Sequence, residues 1–287
     1  MEALAASTIR STDLPATSVR ERGGRRWSRS RLLNAWVDDV TVEQLVDRLD
    51  EGVLFTLNPD HVYHLQRNAD FAAAYRRADF VSSDSKYVYW SLGLLGRRIQ
   101  AKCSGSDVVP AFWRRHAADP AVRIFLLGAK PGIAERARQR INRLAGREVV
   151  VGALGPSFDF VNDARETTEA IEAIIACRAT VLIVGLGAPK QEIWIDRNRH
   201  RLPGIKLYMG VGAVIDYEAE AVRRAPGWMN RNGLEWVYRM ATEPRRYWRR
   251  YFRTLDFFWL VLMDRLGRYR PPSFPSPVVP PASAPIN

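Results

Sequence analysis

The chain has 287 residues, of which 47% are hydrophobic, and its formal net charge is +12. This length and apolar content exclude a chain that is disordered throughout, and the presence of only two cysteines excludes a disulfide scaffold. No apolar run approaches the roughly 18 residues of a membrane-spanning helix. The first residues lack the charged-then-apolar pattern of a secretory leader, so we expect neither feature.

The positive charge is concentrated at the two ends of the sequence. Residues 1–31 carry a net +4 and residues 223–270 a net +8, whereas the remaining chain is neutral. Charge placed in this way describes the surfaces that a protein meets more than its chemistry. Two partners fit it at this point, an anionic membrane surface and a nucleic acid backbone.

The first predicted domain boundary falls near residue 31. Residues 1–30 are rich in Ser, Thr, Arg and Gly and have no apolar period, so we expect a disordered basic arm. From residue 31 to residue 222, short apolar runs alternate with helical patterns. This alternation predicts an α/β fold, a doubly wound, Rossmann-like parallel sheet. The predicted strands are Val53–Leu57, Ala78–Ser82, Val122–Leu127, Val149–Val151, Thr180–Val184 and Lys206–Met209.

Several helix starts are predicted from local signals. Thr41 and Gln44 have the spacing of a capping box. Pro131 is expected in the first turn of the helix that follows the third strand. Ser106 is expected to cap another helix, with Asp107 favoured there by the helix dipole. The same Gly-Ser-Asp turn could instead bind a donor substrate, with Lys102 as a phosphate partner, and the two roles are compatible.

The character of the sequence changes after residue 222. Residues 223–270 are predicted to form a basic, amphipathic helical appendage, with helices at 234–240 and from Pro244 to about Leu266. Arginines alternate there with aromatic residues, which is typical of a helix lying at a membrane surface. The alternative is a helix that packs its apolar side on the body. Residues 271–287 are proline-rich, so we expect a disordered tail.

Polar residues follow three of the predicted strands, where open α/β sheets bind ligands. The segments are 55–60, 82–86 and 184–192. The glycines of the third segment allow close backbone approach to a phosphate, although a tight turn needs them too. Asp84 fits either a general base or a helix cap. Sequence patterns alone do not decide between phosphate binding and a tight turn for the glycines, or between a base and a cap for Asp84.

No metal or other cofactor is expected. His61 and His64 are three residues apart, but no third ligand follows, so a helix surface is the favoured interpretation. There is no Asp-x-Asp motif of the kind that clasps a metal–nucleotide complex. A nucleotide-dependent oxidoreductase is disfavoured because the first strand–helix unit lacks a G-x-G-x-x-G turn.

Taken in order, the motifs resemble the WecG/TagA/CpsF family of bacterial glycosyltransferases over about residues 31–250. The segments that carry the resemblance are Thr56–Asp60, Ala78–Val81 leading to Asp84, Gly105–Asp107, Phe125–Gly128, Gly187–Glu192, Gly210–Ala213, Arg224–Met229, Gly233–Trp236 and Glu243–Arg246. The resemblance implies inverting transfer of a sugar from a UDP-sugar, the donor substrate, to a polyprenyl-diphosphate-linked acceptor.

The same resemblance implies roles for individual residues. Asp84 would be the catalytic base, with Thr56 beside it, and Lys102 stands where the family usually has Arg. Lys is a point charge without the bidentate fork of a guanidinium. The residues implied to bind substrate are Asn58, Lys102, Ser106, Asp107, Gly187, Lys190, Gln191 and Glu192. Those implied to contact the acceptor or the membrane are Arg224, Arg239, Arg245, Arg246, Arg249 and Trp248.

Ser85 and Tyr87 stand where the family commonly has glycine. We expect these side chains to reshape the floor of the site and to favour a hexose donor, as in exopolysaccharide synthesis. The alternative donor is UDP-N-acetylmannosamine or its uronic acid, as in teichoic acid or surface-antigen synthesis. The expected location is peripheral, on the cytoplasmic face of the plasma membrane, and homo-oligomerisation is left open.

Two other classes of protein would explain part of the sequence. A nucleic-acid-binding protein would explain the basic ends but not the neutral body or the polar strand ends. A regulator that binds a nucleotide sugar without catalysis would keep the fold but has no need of Asp84. We therefore expect an enzyme and no nucleic acid partner.

Overall fold

A computed structural model describes residues 15–222, 229, 237–238 and 244–274, and it describes 244–253 by their backbone only. Several predictions lie outside the described part. They concern the arm before residue 15, the helix at 234–240 apart from two of its residues, Arg224, Arg239, the side chains of Arg245, Arg246, Trp248 and Arg249, and the tail from residue 275.

An antiparallel meander of three strands opens the described chain. It comprises β1 (Thr17–Arg22), β2 (Arg25–Leu32) and β3 (Ala35–Asp38). The prediction of disorder is therefore wrong for the strand residues before 31. The meander has no simple apolar alternation, because arginine side chains fill much of its covered face. Trp27 is buried there and donates a hydrogen bond to Asp38 over 2.7 Å.

The six predicted parallel strands are all present, with bounds shifted by up to three residues. The sheet order is β5-β4-β9-β8-β6-β7, and every neighbouring pair is parallel. The first two of these strands, β4 and β5, lie on one side of the sheet and β6 and β7 on the other, and β8 and β9 lie between them. The strands are β4 (Gly52–Leu57), β5 (Phe80–Ser83), β6 (Ile124–Gly128), β7 (Val150–Leu154), β8 (Val181–Gly185) and β9 (Leu207–Gly210).

Helices cover both faces of this sheet, as the continuous apolar strands predict. The helices that begin at Val42 and Ala69 follow the caps Thr41 and Asn68, whose side chains accept hydrogen bonds from amides of the first turn. The described residues contain α1 (Val42–Val46), α2 (Pro59–Leu65), α3 (Ala69–Arg76), α4 (Lys86–Leu94), α5 (Gly105–Arg115), α6 (Ile133–Ala145), α7 (Ala164–Ala176), α8 (Lys190–Asn198), α9 (Val214–Glu218) and α10 (Pro244–Arg265).

The capping box at Thr41 is confirmed, whereas three other helix starts differ from prediction. Ser85, not Asp84, caps α4 and accepts a hydrogen bond from the amide of Val88. Ser104, not Ser106, is the N-cap residue of α5. Pro131 lies before α6 because Gly132, at φ +79°, takes the cap position.

The last helix, α10, packs against α2 and completes the core on that face. Phe257 and Val261 are buried, and Asp264 forms an ion pair with Arg97 at 2.6 Å. The alternative interpretation of this segment, a helix that packs its apolar side on the body, therefore holds for its second half. The chain beyond it stays attached as far as Phe274, which also packs on this core, so the predicted tail begins later than residue 271.

Candidate active site

The carboxyl ends of four neighbouring strands bring together the residues predicted at the ends of β4, β5 and β8. Asp84 follows β5 directly, is half-buried, and its amide donates to the carbonyl of Leu57 over 2.9 Å. Thr56 is buried in β4, and its hydroxyl lies 3.5 Å from the carbonyl oxygen of Gly210 in β9. The predicted base therefore stands at the edge of the sheet, next to the segment that holds Thr56 and Asn58.

Asn58 shapes this edge by capping α2. Its side-chain oxygen accepts hydrogen bonds from the amides of Asp60 and His61, at 3.0 and 3.1 Å. The following Pro59 occupies the first turn, where its missing N–H costs nothing. The side-chain oxygen is thus used for folding, and it fixes the direction in which the chain leaves β4.

Lys102 lies in a polar cluster at the start of α5. Its ammonium group donates to Ser104 at 3.0 Å and to the carboxylate of Asp107 at 2.8 Å. Ser106 joins the cluster through the hydroxyl of Ser104, 3.1 Å away. The amide of Cys103 bonds the carbonyl of Ser83, which places the cluster beside the end of β5. Lys102 is therefore a paired cation, and an arriving phosphate would compete with Asp107 for it.

Gly105 is required where α5 meets the sheet. A Cβ atom at this position would lie 2.9 Å from the Cβ atom of Val211, which follows β9. Glycine thus lets the start of α5 approach the carboxyl end of β9. The predicted Gly-Ser-Asp turn is in this way tied to the same edge as Thr56.

Gln191 holds two glycine-rich turns together. Its side-chain oxygen accepts hydrogen bonds from the amides of Gly187 and Gly212, at 3.2 and 3.1 Å. Its side-chain nitrogen donates to the carboxyl group of Glu192 over 2.7 Å. Because Gln191 is fully buried, it positions these turns and does not face the solvent-accessible edge. Gly187 itself has φ +78°, which favours glycine.

Lys190 is turned away from Gln191 toward a neighbouring loop. Its ammonium group donates to the carbonyl of Phe158 over 2.8 Å and lies 4.0 Å from the centre of that ring. Phe158 is 93% exposed, so the contact sits at the surface. The structure leaves Lys190 within the same turn as Gly187, but its charge is directed at this loop.

Glu192 is a fully buried carboxyl group behind the glycine-rich turns. One of its oxygens lies 3.8 Å from the ring of His61, and the other has no hydrogen-bond partner among the described residues. Burial raises the pKa of Glu192 to about 8, and the nearby charge of Asp60 acts in the same direction. The carboxyl group is therefore largely protonated at neutral pH.

His61 and Tyr75 complete this buried group, and sequence reasoning misplaced or missed them. His61 was expected on a helix surface but is buried, with its ring nitrogen 2.5 Å from the hydroxyl of Tyr75. Burial, followed by the charges of Glu192 and Asp84, holds the pKa of Tyr75 well above its usual value. No local pattern marks such a pairing, because its members come from α2, α3 and α8.

The pH dependence of folding tests the state of Glu192. In the unfolded chain this group ionises near pH 4.5, whereas in the folded protein it keeps its proton to about pH 8. The free energy of unfolding therefore falls by about 1 kcal/mol per pH unit as the pH rises between these two values, and it levels off at higher pH. Glu192→Gln should remove the slope between pH 6 and pH 8; below pH 6 another buried carboxyl group, Asp38, whose pKa burial raises to about 6, also contributes. Urea unfolding from pH 5 to pH 8 measures the slope, with the exposed Glu169→Gln as control; parallel curves for wild type and Glu192→Gln would contradict the assignment.

Within the described ranges, no three His, Cys, Asp or Glu side chains are grouped so that they could hold an ion. The charged groups available at the sheet edge are Asp84 and the Lys102–Asp107 pair.

An open parallel sheet with a carboxylate, a cation and glycine-rich turns at its carboxyl edge defines the class of α/β enzymes that bind ligands there. The chain matches the model of the Glycosyl transferase WecG/TagA/CpsF family over residues 30–271. It belongs to this family and is a glycosyltransferase.

Two curated relatives align with most of the chain. A protein of Bacillus spizizenii is 29% identical over 227 residues, which are 79% of this chain and 84% of the relative. A protein of Bacillus subtilis is 26% identical over 230 residues, 80% of this chain and 86% of the relative. Both are named N-acetylglucosaminyldiphosphoundecaprenol N-acetyl-β-D-mannosaminyltransferase.

Proposed function

We propose that the protein transfers N-acetylmannosamine, or a close derivative, from UDP to N-acetylglucosamine linked to undecaprenyl diphosphate. The observation that carries the proposal is the alignment with two relatives of this named activity over about four fifths of the chain. The acceptor named for those relatives is also of the predicted polyprenyl-diphosphate class. The proposal replaces the expectation of a hexose donor.

The expectation of a hexose donor depended on Ser85 and Tyr87. Both side chains make contacts within the fold. Ser85 caps α4 through a hydrogen bond of 3.2 Å from Val88. The Tyr87 ring packs on Trp90 and on Phe258 of α10, with ring centres 5.9 and 5.5 Å apart. These residues serve helix capping and the docking of α10, so they give no separate support for a different donor.

The proposed reaction is a direct displacement at the anomeric carbon. Asp84 accepts the proton of the acceptor hydroxyl, the oxygen forms the new glycosidic bond, and the bond to UDP breaks. Negative charge then builds on the departing diphosphate. Lys102 and the first turn of α5 supply positive potential there, with Lys102 exchanging Asp107 for phosphate.

Gln191 and Glu192 act in this proposal as positioning residues. The hydrogen bonds of Gln191 keep the turns at Gly187 and Gly212 at a fixed separation. These turns flank the edge at which the donor would lie. Their exact spacing sets how closely a nucleotide can approach the backbone.

A panel of UDP-sugars tests the donor. With a short-chain prenyl diphosphate carrying N-acetylglucosamine as acceptor, UDP-N-acetylmannosamine should give the highest rate of UDP release. Release from UDP-glucose or UDP-galactose in preference to it would contradict the proposed donor and restore the hexose. Omitting the acceptor provides the control for donor hydrolysis.

An apolar surface formed by α10 and α4 supports membrane association. Exposed apolar side chains line one face of α10 at helical spacing, and the ring contact between Tyr87 and Phe258 joins this face to α4. The two helices hold six large exposed apolar residues, Trp90, Leu94, Leu255, Phe258, Trp259 and Leu262, and Leu266, also exposed, follows α10 directly. We propose that this surface lies on the bilayer that carries the acceptor.

The charges near this surface fit an anionic bilayer. The arginines of the first half of α10 precede the apolar face in sequence, and Arg265 and Arg268 follow it. None of the described helices is long and apolar enough to cross a membrane. The proposed attachment is therefore peripheral, and the cytoplasmic face of the plasma membrane is its predicted site.

Charge placed on this surface should prevent attachment. Trp259→Glu combined with Leu262→Glu should reduce co-sedimentation with phosphatidylglycerol-containing vesicles at least tenfold, since two carboxylates would enter the interface. Ile175→Glu, an equally exposed apolar position on α7, is the matched control and should sediment like wild type. Unchanged sedimentation of the double variant would contradict the proposed surface. Deletion of residues 244–287 is less informative, because it also removes Phe257 and Val261 from the core.

A further inference from the structure

A cavity of about 380 Å³ lies between the N-terminal meander and α3. Its wall holds three guanidinium groups, those of Arg20, Arg29 and Arg76, and one carboxyl group, that of Asp38. Its size falls in the range of small-ligand sites, about 300–1,000 Å³. The excess of cations favours an anionic occupant.

The guanidinium group of Arg29 uses only part of its hydrogen-bonding capacity. The Nε atom is buried and has no hydrogen-bond partner among the described residues. The group lies over the Trp36 ring, 5.2 Å from its centre. Burial lowers the pKa of Arg29, the neighbouring Arg20 lowers it further, and Asp38 opposes them. Arginine stays charged under these conditions, so a desolvated cation faces the cavity.

The carboxyl group in the wall is engaged elsewhere. Asp38 accepts hydrogen bonds from Trp27 at 2.7 Å and from the amide of Val81 at 2.6 Å. Arg20 donates to the carbonyl of Ala78 at 3.2 Å and lies 3.6 Å from Asp79. Asp38 therefore joins the meander to β5, and its one negative charge stands against the three guanidinium groups of the wall, which leaves an excess of positive charge.

Apart from Asn34, the rest of the wall is apolar or aromatic. Trp36, Leu65, Tyr75 and Phe274 contribute to it. A flat or aliphatic group could bury its surface against these side chains. The combination of cations with such a wall fits an anion that carries an apolar body better than a bare inorganic ion.

This cavity is separate from the catalytic edge. Arg20 contacts Ala78, which precedes β5, whereas Asp84 follows the opposite end of that strand. Arg20 and Arg29 also precede residue 30, where the match to the family model begins. The cavity thus gives a use to part of the N-terminal positive charge that the transfer reaction does not employ.

We propose that this cavity is a second ligand site that binds a phosphate ester, with the phosphate on Arg29 and Arg76 and the apolar body against Trp36 and Phe274. The ester could come from a soluble nucleotide-like compound or from a prenyl lipid. Both share a phosphate joined to an apolar group, which is the chemistry that the wall recognises.

Calorimetric titration of the full chain with phenyl phosphate, geranyl phosphate and inorganic phosphate tests the site. At least one ester should bind more tightly than inorganic phosphate, and Arg29→Gln should weaken that binding at least tenfold. Arg76→Gln, at an exposed helix position, should weaken it severalfold with little effect on folding. A preference for phenyl phosphate would indicate a nucleotide-like source, and a preference for geranyl phosphate a prenyl source.

Two control variants make the result specific. Arg26→Gln changes an exposed arginine of the same strand that pairs with Glu21, and it should bind like wild type. Lys102→Gln changes the catalytic edge and should retain the ester binding that Arg29→Gln removes. Absence of ester binding, equal affinity for inorganic phosphate, or loss of binding with Lys102→Gln but not with Arg29→Gln would overturn the proposal. Thermal unfolding of each variant without ligand identifies any loss caused by misfolding.

Discussion

Asp84→Asn should lower the rate of sugar transfer by about a thousandfold, the size of a typical general-base contribution. The amide keeps the shape of the side chain but cannot accept the proton of the acceptor hydroxyl. Because Asp84 lies at the end of β5 and Ser85, not Asp84, caps α4, the substitution leaves the local fold intact. Donor affinity should change less than threefold.

Single-turnover measurement of product formation and a separate titration with UDP separate these two effects. Asp50→Asn, at a well exposed carboxylate, is the control and should be fully active. Turnover near that of the wild type in Asp84→Asn would remove this residue from the role of base. Loss of UDP binding together with activity would instead indicate a damaged site.

Asp264→Asn should lower the free energy of unfolding by about 3 kcal/mol, because it leaves a buried cation without its partner. The side chain of Asp264 is 1% exposed and that of Arg97 12%, and the pair joins α10 to the chain after α4. The neighbouring Arg31 is also desolvated, which lowers its pKa, and the charge of Asp264 opposes this effect. Loss of that charge therefore affects two arginines.

Urea unfolding measures this change, and α10 itself provides the control. Asp256 pairs with Arg67 at 3.0 Å, but both side chains are nearly half exposed. Asp256→Asn should therefore cost less than about 1 kcal/mol. Equal effects of the two substitutions would show that the Arg97–Asp264 pair does not hold α10 on the body.

The parallel sheet could be predicted because its strands are continuous apolar runs. Leu54 faces one core cluster and Phe55 the other, so both faces of β4 require apolar residues. The polar residues at the carboxyl ends of the strands were visible for the same reason, since they interrupt these runs. Asp84 and Thr56 belong to these segments, whereas Lys102 was indicated by the Gly-Ser-Asp turn that follows it; all three lie at one edge.

The meander could not be predicted in the same way. Its buried face uses Trp27 and the stems of arginines, whose charges are balanced by residues distant in sequence, such as Asp79 for Arg22. A pattern of this kind resembles an exposed basic arm until its partners are known. The N-terminal charge was consequently assigned to disorder.

The burial of Gln191 and Glu192 behind the glycine-rich turns could not be predicted either, because it also depends on residues distant in sequence. The motif marked Gln191 and Glu192 as substrate-binding residues, yet both are fully buried. The partners of Gln191 are the turn amides, and that of Glu192 is His61. Only the packing of α3 against both α2 and α8 brings His61 and Glu192 together. A sequence motif indicates that such residues matter, but not whether they touch the ligand or hold the loops that do.

The anomeric configuration of the product tests whether the sugar is transferred by a single direct displacement. If Asp84 is the base of a direct displacement, an α-linked UDP-N-acetylmannosamine donor must give a β-linked disaccharide on the prenyl diphosphate. The one-bond carbon–proton coupling at the new anomeric centre, measured by NMR, reports this configuration. We predict the β anomer; an α-linked product would contradict the account.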